Sequence, residues 1–455
     1  SHGLKPVLSS CCRYHNAFLV REQSELEEMG SAHRASLAII VCAIPCTWAL
    51  KRGELRNGGS INITYCSTSM SFSEFVDKYK RDYKPGTEEY RLREILFAKR
   101  LAAVDQHNCE QRKRVTWRAS INNLADWSDE ALESLSSLEP GRKGEVQKEV
   151  QAPPPPPPPY VMSLRHPAPG NFPESLSWGN LSDIQLPKHQ GHCGSCWALS
   201  AVTVLNAHSE IRKQPNDFSL AQVVACTPNP NKCGGTGGCH GATAGLAFNY
   251  ALHAGLVSAG SFPYPFGDPE FRGDSPACPL SMAVDAEKAS QTLLGIHSTD
   301  GTDVHKYFSG RGRDFGLVGW KRLPENREEQ IVRALVHEGP MAVSVATGPS
   351  WHMYAAGVLP AEECDQKHVL RHAVVLFGYG VEKLWDLRYW SLKNSWGADW
   401  GERGNMRLQR LDNEEVACGW DYHPEKGSEC AGGRDKIWVC GSCGILHEAT
   451  MPIFE

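Results

Sequence analysis

Between residues 88 and 108 the chain contains neither Gly nor Pro, and apolar side chains recur at Leu92, Leu96, Phe97, Leu101 and Val104. Spacings of three and four residues gather such positions on one side of an α-helix. The pattern predicts one amphipathic helix, with Glu89 four residues before Arg93 in the order that favours an ion pair. Cys196 to Ile211 reads as a second, more uniformly apolar helix. Further on, short apolar runs at Met341–Val345, His372–Phe377 and Tyr389–Leu392 read as strands. Helices first and strands afterwards predict an α+β fold and not a parallel α/β sheet. No internal repeat is visible.

Seven consecutive prolines, Pro153 to Pro159, open a Pro-rich stretch that ends at Pro173. Polyproline is an extended, solvated spacer, so it marks a boundary between two functional segments. The 455 residues and 41% hydrophobic content support at least one large core. A net charge of -5 with no long basic run argues against nucleic acid or an anionic membrane as partner. Seventeen cysteines without a repeated CxxC pattern read as secretory disulfides and not as cytosolic thiols. An apolar run from Ala35 to Leu50 follows Met29 and Arg34. It has the shape of a signal peptide over 29–49 and falls short of the roughly 20 residues a membrane span needs. Residues 1–28 are then an untranslated leader, and thirteen cysteines remain, one free thiol plus an even set.

The chemistry concentrates in Gln190-Gly191-His192-Cys193-Gly194-Ser195-Cys196-Trp197, a tight turn that opens directly into the second helix. A thiol at a helix N-terminus is favoured as thiolate, more so beside an imidazolium. Its proton partner should stand far downstream, at the start of a buried strand that fixes the ring. His372 meets that demand, and His368 is the nearest decoy. An amide oxygen can orient the imidazole without adding charge, and Asn394 in Lys393-Asn394-Ser395-Trp396-Gly397 offers one.

These segments resemble the papain-like cysteine peptidases, whose nucleophile carries the signature C-G-[SA]-C-[WY]. The His-Ala-Val to Gly-Tyr-Gly stretch at 372–380 and the Asn-Ser-Trp-Gly element at 394–397 resemble the same family. The resemblance implies a two-domain fold, helical on one side and barrel-like on the other, and a catalytic set of Cys196, His372, Asn394 and Gln190. Gln190 and the nucleophile's backbone N–H would hold the oxyanion, and Trp396 would cover the His–Asn hydrogen bond. His372 and Asn394 follow Cys196 by 176 and 198 residues, against roughly 130 to 150 for the family. An insertion, Ser298 to Gly319, read as a polar surface loop, accounts for the excess.

Upstream, Glu89, Arg93, Phe97, Val104 and Asn108 resemble the helix motif of cathepsin L-type inhibitory propeptides, with Arg100 where Asn is usual. Asn122 to Asp126 is similar to the turn that follows. The implied organisation is a propeptide over 50–150 with its core at 72–135, a linker over 151–171 cut between Pro159 and Phe172, and a peptidase domain over 172–455. The first part would block the cleft until acid loosens it. Gly241 and Ala242, where the family has two glycines, would pair with substrate main chain, and Glu448 would floor the pocket for the second residue before the scissile bond. Its alternative is a solvated terminal Glu.

By resemblance Cys193 pairs with Cys239, Cys226 with Cys278, and Cys364 with Cys443. Cys233, Cys418, Cys430 and Cys440 stay open, with disulfides preferred over zinc. Asn62 and Asn180 head glycosylation triplets. The expected protein is a monomeric endopeptidase zymogen of the secretory pathway, bound for a lysosome-like compartment or secretion. It acts on peptides and proteins and needs no metal or cofactor. An exopeptidase and a catalytically silent binding homologue are the rivals.

Overall fold

The computed structural model describes residues 70–110, 116–135, 172–265, 275, 277–279, 281–282, 294–297, 302–306 and 310–455. The signal segment, the Pro-rich linker, its cleavage region and Asn62 lie outside them. Among the described residues no helix is long and apolar enough to cross a membrane.

The N-terminal segment holds α1 (Phe72–Lys78), α2 (Glu88–Glu110), β1 (Trp117–Ala119) and α3 (Asp129–Ser134). Ser71 caps α1 in a reciprocal box with Glu74. On α2 the buried stripe runs through Phe97 and Val104, while Leu92 is 54% exposed. At 100° per residue Leu92 lies well off the Phe97 side, which corrects its expected place in the stripe. Glu89 pairs with Arg93 at 3.1 Å, and Arg93 also donates to the Asp126 carbonyl. The unusual Arg100 ion-pairs with Asp129 of α3 at 2.5 Å. Asn108 grips β1 in both directions, donating to the Ala119 carbonyl and accepting from its N–H.

After residue 171 come β2 (Leu176–Ser177), α4 (Ser182–Gln185), α5 (Cys196–Ile211), α6 (Leu220–Cys226) and α7 (Ala244–Ala254). Helix α5 is buried continuously from Cys196 to Ser209, as its all-round apolar sequence requires. With α6 and α7 it forms a helical lobe around Val204, Leu205, Val223 and Phe248.

The second lobe is a sheet crossed by α8 (Glu328–His337). Its strands are β3 (Leu294–His297), β4 (Asp303–Lys306), β5 (Leu317–Arg322), β6 (Met341–Val345), β7 (Tyr354–Leu359), β8 (His372–Glu382), β9 (Leu387–Lys393), β10 (Asn405–Gln409) and β13 (Ala449–Phe454). The order is β1-β7-β10-β9-β8-β6-β13-β5-β4-β3, with β2 on β8. Strand β8 is buried on both faces over nine residues, and β6 pairs with it in the register Val345 to His372. A separate hairpin, β11 (Cys418–Asp421) with β12 (Ile437–Cys440), lies between β10 and β13.

The expected surface loop at Ser298–Gly319 is corrected. Its described part contains strand β4, a 3-10 turn over Arg311–Phe315 and the start of β5, with Leu317 fully buried. Gly312 packs against the backbone of Leu252 on α7. The polar, Gly-rich composition hid these elements, whose stability comes from packing and not from local propensity.

The N-terminal segment shares its core with the sheet lobe: Phe75, Phe97, Trp117 and Trp127 belong to one apolar cluster with Trp351, Tyr354 and Trp396. Strand β1 extends the sheet antiparallel to β7, opposing Trp117 to Gly357. Gly357 has φ +94°, and a Cβ there would collide with the Thr116 carbonyl, so only glycine lets the two backbones approach.

Candidate active site

Cys196 is the first residue of α5, 1% exposed, with its thiol at the positive end of the helix dipole. His372 opens β8 from the other lobe, and Cys196 shares an apolar cluster with Ala373, the next residue of β8. The nucleophile turn and the histidine strand thus meet where the lobes meet.

His372 donates from Nε2 to Asn394 Oδ1 at 2.8 Å. The same oxygen accepts the Ser395 N–H at 2.8 Å, which fixes the amide orientation. With the proton on Nε2, Nδ1 of the neutral ring is the basic nitrogen, and it makes no hydrogen bond of normal geometry. Burial pushes His372 down to about 4, and the favourable contacts with Asn394 and the Leu135 backbone do not offset it. Trp396 is fully buried with its ring centroid 4.9 Å from that of His372.

Gln190 is fully buried. Its Oε1 accepts from Ser395 Oγ at 2.6 Å, which leaves Nε2 as the donor end. Nε2 donates to the Cys193 carbonyl at 2.8 Å and to the Leu135 carbonyl at 3.0 Å. A backbone carbonyl of the N-terminal segment therefore sits on the expected oxyanion donor, beside His372.

Two histidines of the same turn, not singled out from the sequence, also face that segment. His192 stacks on Trp127 with ring centroids 3.9 Å apart. His189 accepts the Gly191 N–H at Nδ1, 2.8 Å, and its Nε2 lies 2.9 Å from the Asn123 side-chain amide. Burial, and secondarily the positive charge of Arg81, push His189 down to about 4. Asn122 donates to the His352 carbonyl, and burial pushes His352 down to about 3. Two adjacent asparagines, each facing a histidine of the enzyme body, could have marked this contact.

The Cys193–Cys239 disulfide joins the nucleophile turn to the loop before Gly241, and Gly194 N–H donates to the Cys239 carbonyl. Gly241 has φ +85° and Ala242 is buried. Cys226–Cys278 and Cys364–Cys443 also form. The four open cysteines pair as Cys233–Cys430 and Cys418–Cys440. These five disulfides are the ones among the described residues, and Cys66 lies outside those residues. Asn180 is exposed. Glu448 is 8% exposed and accepts from Ser344 Oγ at 2.6 Å, which excludes the solvated-terminus alternative.

The comparisons with known proteins agree with this layout. Residues 172–425 match the papain family cysteine protease model, and 72–132 match the cathepsin propeptide inhibitor domain (I29). Cathepsin L of Sarcophaga peregrina is 27% identical over 347 residues, 75% of this chain and 87% of that protein. Cysteine protease 1 of Oryza sativa subsp. japonica is 28% identical over 331 residues, 71% of this chain but only 56% of that protein. Among solved structures, digestive procathepsin L 3 of the Tenebrio molitor larval midgut superposes with TM-score 0.56 at 23% identity, covering 84% of this chain and 98% of that one. The recombinant stem bromelain precursor gives 0.55 at 22%, with 84% and 98% covered. With both its catalytic and its inhibitory domain matched, the chain belongs to the papain family of cysteine proteases and carries the family's propeptide.

Proposed function

We propose that the chain is the precursor of a cysteine endopeptidase in which the Cys196 thiolate attacks a peptide carbonyl. His372 gives a proton to the leaving amine, then takes one from the water that hydrolyses the thioester. Asn394 holds the imidazole, Trp396 shields that hydrogen bond, and Gln190 with the Cys196 N–H carries the oxyanion. The reading rests above all on the Leu135 carbonyl, which accepts from Gln190 Nε2 where a substrate carbonyl would. Gly241 and Ala242 pair with the substrate main chain, and Glu448 floors a pocket that takes Arg as well as apolar side chains. The substrates are peptides and proteins.

The propeptide over 50–150 keeps the site covered. Cleavage between Pro159 and Phe172, in an acidic compartment of the secretory pathway or after secretion, yields a monomeric enzyme over 172–455. Acid activation of the purified precursor, followed by N-terminal sequencing and an epoxide thiol trap, tests this. The trap is expected on Cys196 and the new N-terminus near Phe172. Gln190→Ala should lower kcat by about two to three powers of ten while the epoxide still reacts. An unchanged kcat refutes the oxyanion assignment.

A further inference from the structure

The β11–β12 hairpin is anchored beside the histidine strand. Ile437 and Val439 of β12 form a small apolar cluster with Ala346 and Leu370, and Leu370 stands two residues before His372. Gly427, in the loop between the two strands, packs so closely on the Leu370 backbone that a Cβ would lie 2.9 Å from its carbonyl oxygen. Cys418–Cys440 ties the two strands of the hairpin to each other, and Cys364–Cys443 fastens the segment just after β12 to the sheet lobe.

From this base the loop crosses to the helical lobe. Cys430 bonds to Cys233, 197 residues earlier, in the connection between α6 and α7. The joint is reinforced by two backbone hydrogen bonds, from Gly234 N–H to the Glu429 carbonyl and from Ala431 N–H to the Asn231 carbonyl, at 3.1 and 3.0 Å. Gly234 lies against Ala242 so tightly that a Cβ would come within 2.7 Å of the Ala242 carbonyl. One end of the crossing thus touches the strand edge assigned to substrate, and the other touches the approach to His372. The N-terminal segment lies elsewhere, over Tyr354, Trp396 and His189.

We propose that this covalent strap is a specificity element. It spans the cleft on the side of Ala242 and narrows the path of the third residue before the scissile bond, so that small residues are accepted there and bulky ones refused. The proposal rests on the assignment of Ala242 and Glu448 to the residues before the scissile bond. A strap that merely stabilised the fold would leave this selectivity unchanged.

The test compares activated wild-type enzyme with the double variant Cys233→Ala/Cys430→Ala, which leaves no odd thiol. Fluorogenic end-blocked peptides differing only in Gly or Trp at the third position supply the readout. In the wild type kcat/KM for Gly should exceed that for Trp by about tenfold or more, and in the variant the ratio should fall toward unity. Equal rates for Gly and Trp in the wild type overturn the proposal, whether or not the variant folds. A preference that survives in a variant with an unchanged epoxide titre also overturns it. Glu448→Ala is run in parallel on peptides varied at the second position. If neither variant changes its selectivity, the subsite assignment has failed, whereas a shift in Glu448→Ala alone sinks only the strap.

Discussion

Replacing His189 by Asn should make release of the propeptide less sensitive to acid. In the precursor Nδ1 accepts the Gly191 N–H, so the neutral ring carries its proton on Nε2. Asn123 Oδ1 has no other partner, and with the amide turned to bring that oxygen to Nε2 the contact is satisfied. A second proton would have to sit on Nδ1, where it would face the Gly191 N–H donor to donor, near the cationic Arg81. Burial holds the ring at about 4, against 6.5 for an ordinary histidine.

Because the covered form has the depressed value, the propeptide's grip is fully present above pH 6.5 and weakens as pH falls from there toward 4. If exposure restores the ordinary value, lowering pH from about 7 to about 4.5 weakens the closed state by roughly 2 kcal/mol, or on the order of fiftyfold in the opening equilibrium. Asn at 189 keeps an acceptor for Gly191 but cannot titrate. The assay uses precursors made inert by Cys196→Ala and cut in the linker by a trace of active enzyme, with cleavage rate followed against pH. His189→Asn should flatten the curve between about pH 6.5 and 4 by about one proton's worth of slope. Superimposable curves would refute the reasoning. His208 serves as control: burial pushes it down to about 4, but it donates to the Pro340 carbonyl away from the propeptide and should affect only global acid stability.

Gly357→Ala should loosen the β1–β7 pairing, seen as faster linker cleavage at neutral pH with kcat of the mature enzyme unchanged. Glu414 is fully buried and accepts from Trp390 Nε1, Leu411 N–H and Ser442 N–H, so Glu414→Ala should cost about 3 kcal/mol by orphaning those donors, measured by denaturant unfolding. Glu448→Ala should remove Arg but not Phe at the second substrate position, and an unchanged Arg/Phe ratio would refute its place at the pocket floor.

The catalytic strands could be read from the sequence because burial on both faces demands unbroken apolar runs, as in His372–Phe377. The nucleophile turn was readable because it is local. Leu92 misled because an apolar residue on a helix need not join the buried stripe when a neighbour such as Phe97 already sets its direction. The strap stayed invisible for a different reason: four unassigned cysteines allow three pairings, and only the folded chain brings Cys233 to Cys430. His189 and His192 gain their meaning from Asn123 and Trp127, more than sixty residues upstream.

Strand β1 is borrowed by the sheet for the lifetime of the precursor. While it stays, Val358 N–H is occupied by the Thr116 carbonyl and β7 is an interior strand. When it leaves, β7 becomes the rim of the sheet, with Val358 N–H facing outward. An uncovered rim invites any extended chain to add itself. Activation therefore exposes two peptide-binding surfaces at once, the cleft and an edge. Self-association through that edge is a hazard the precursor does not share.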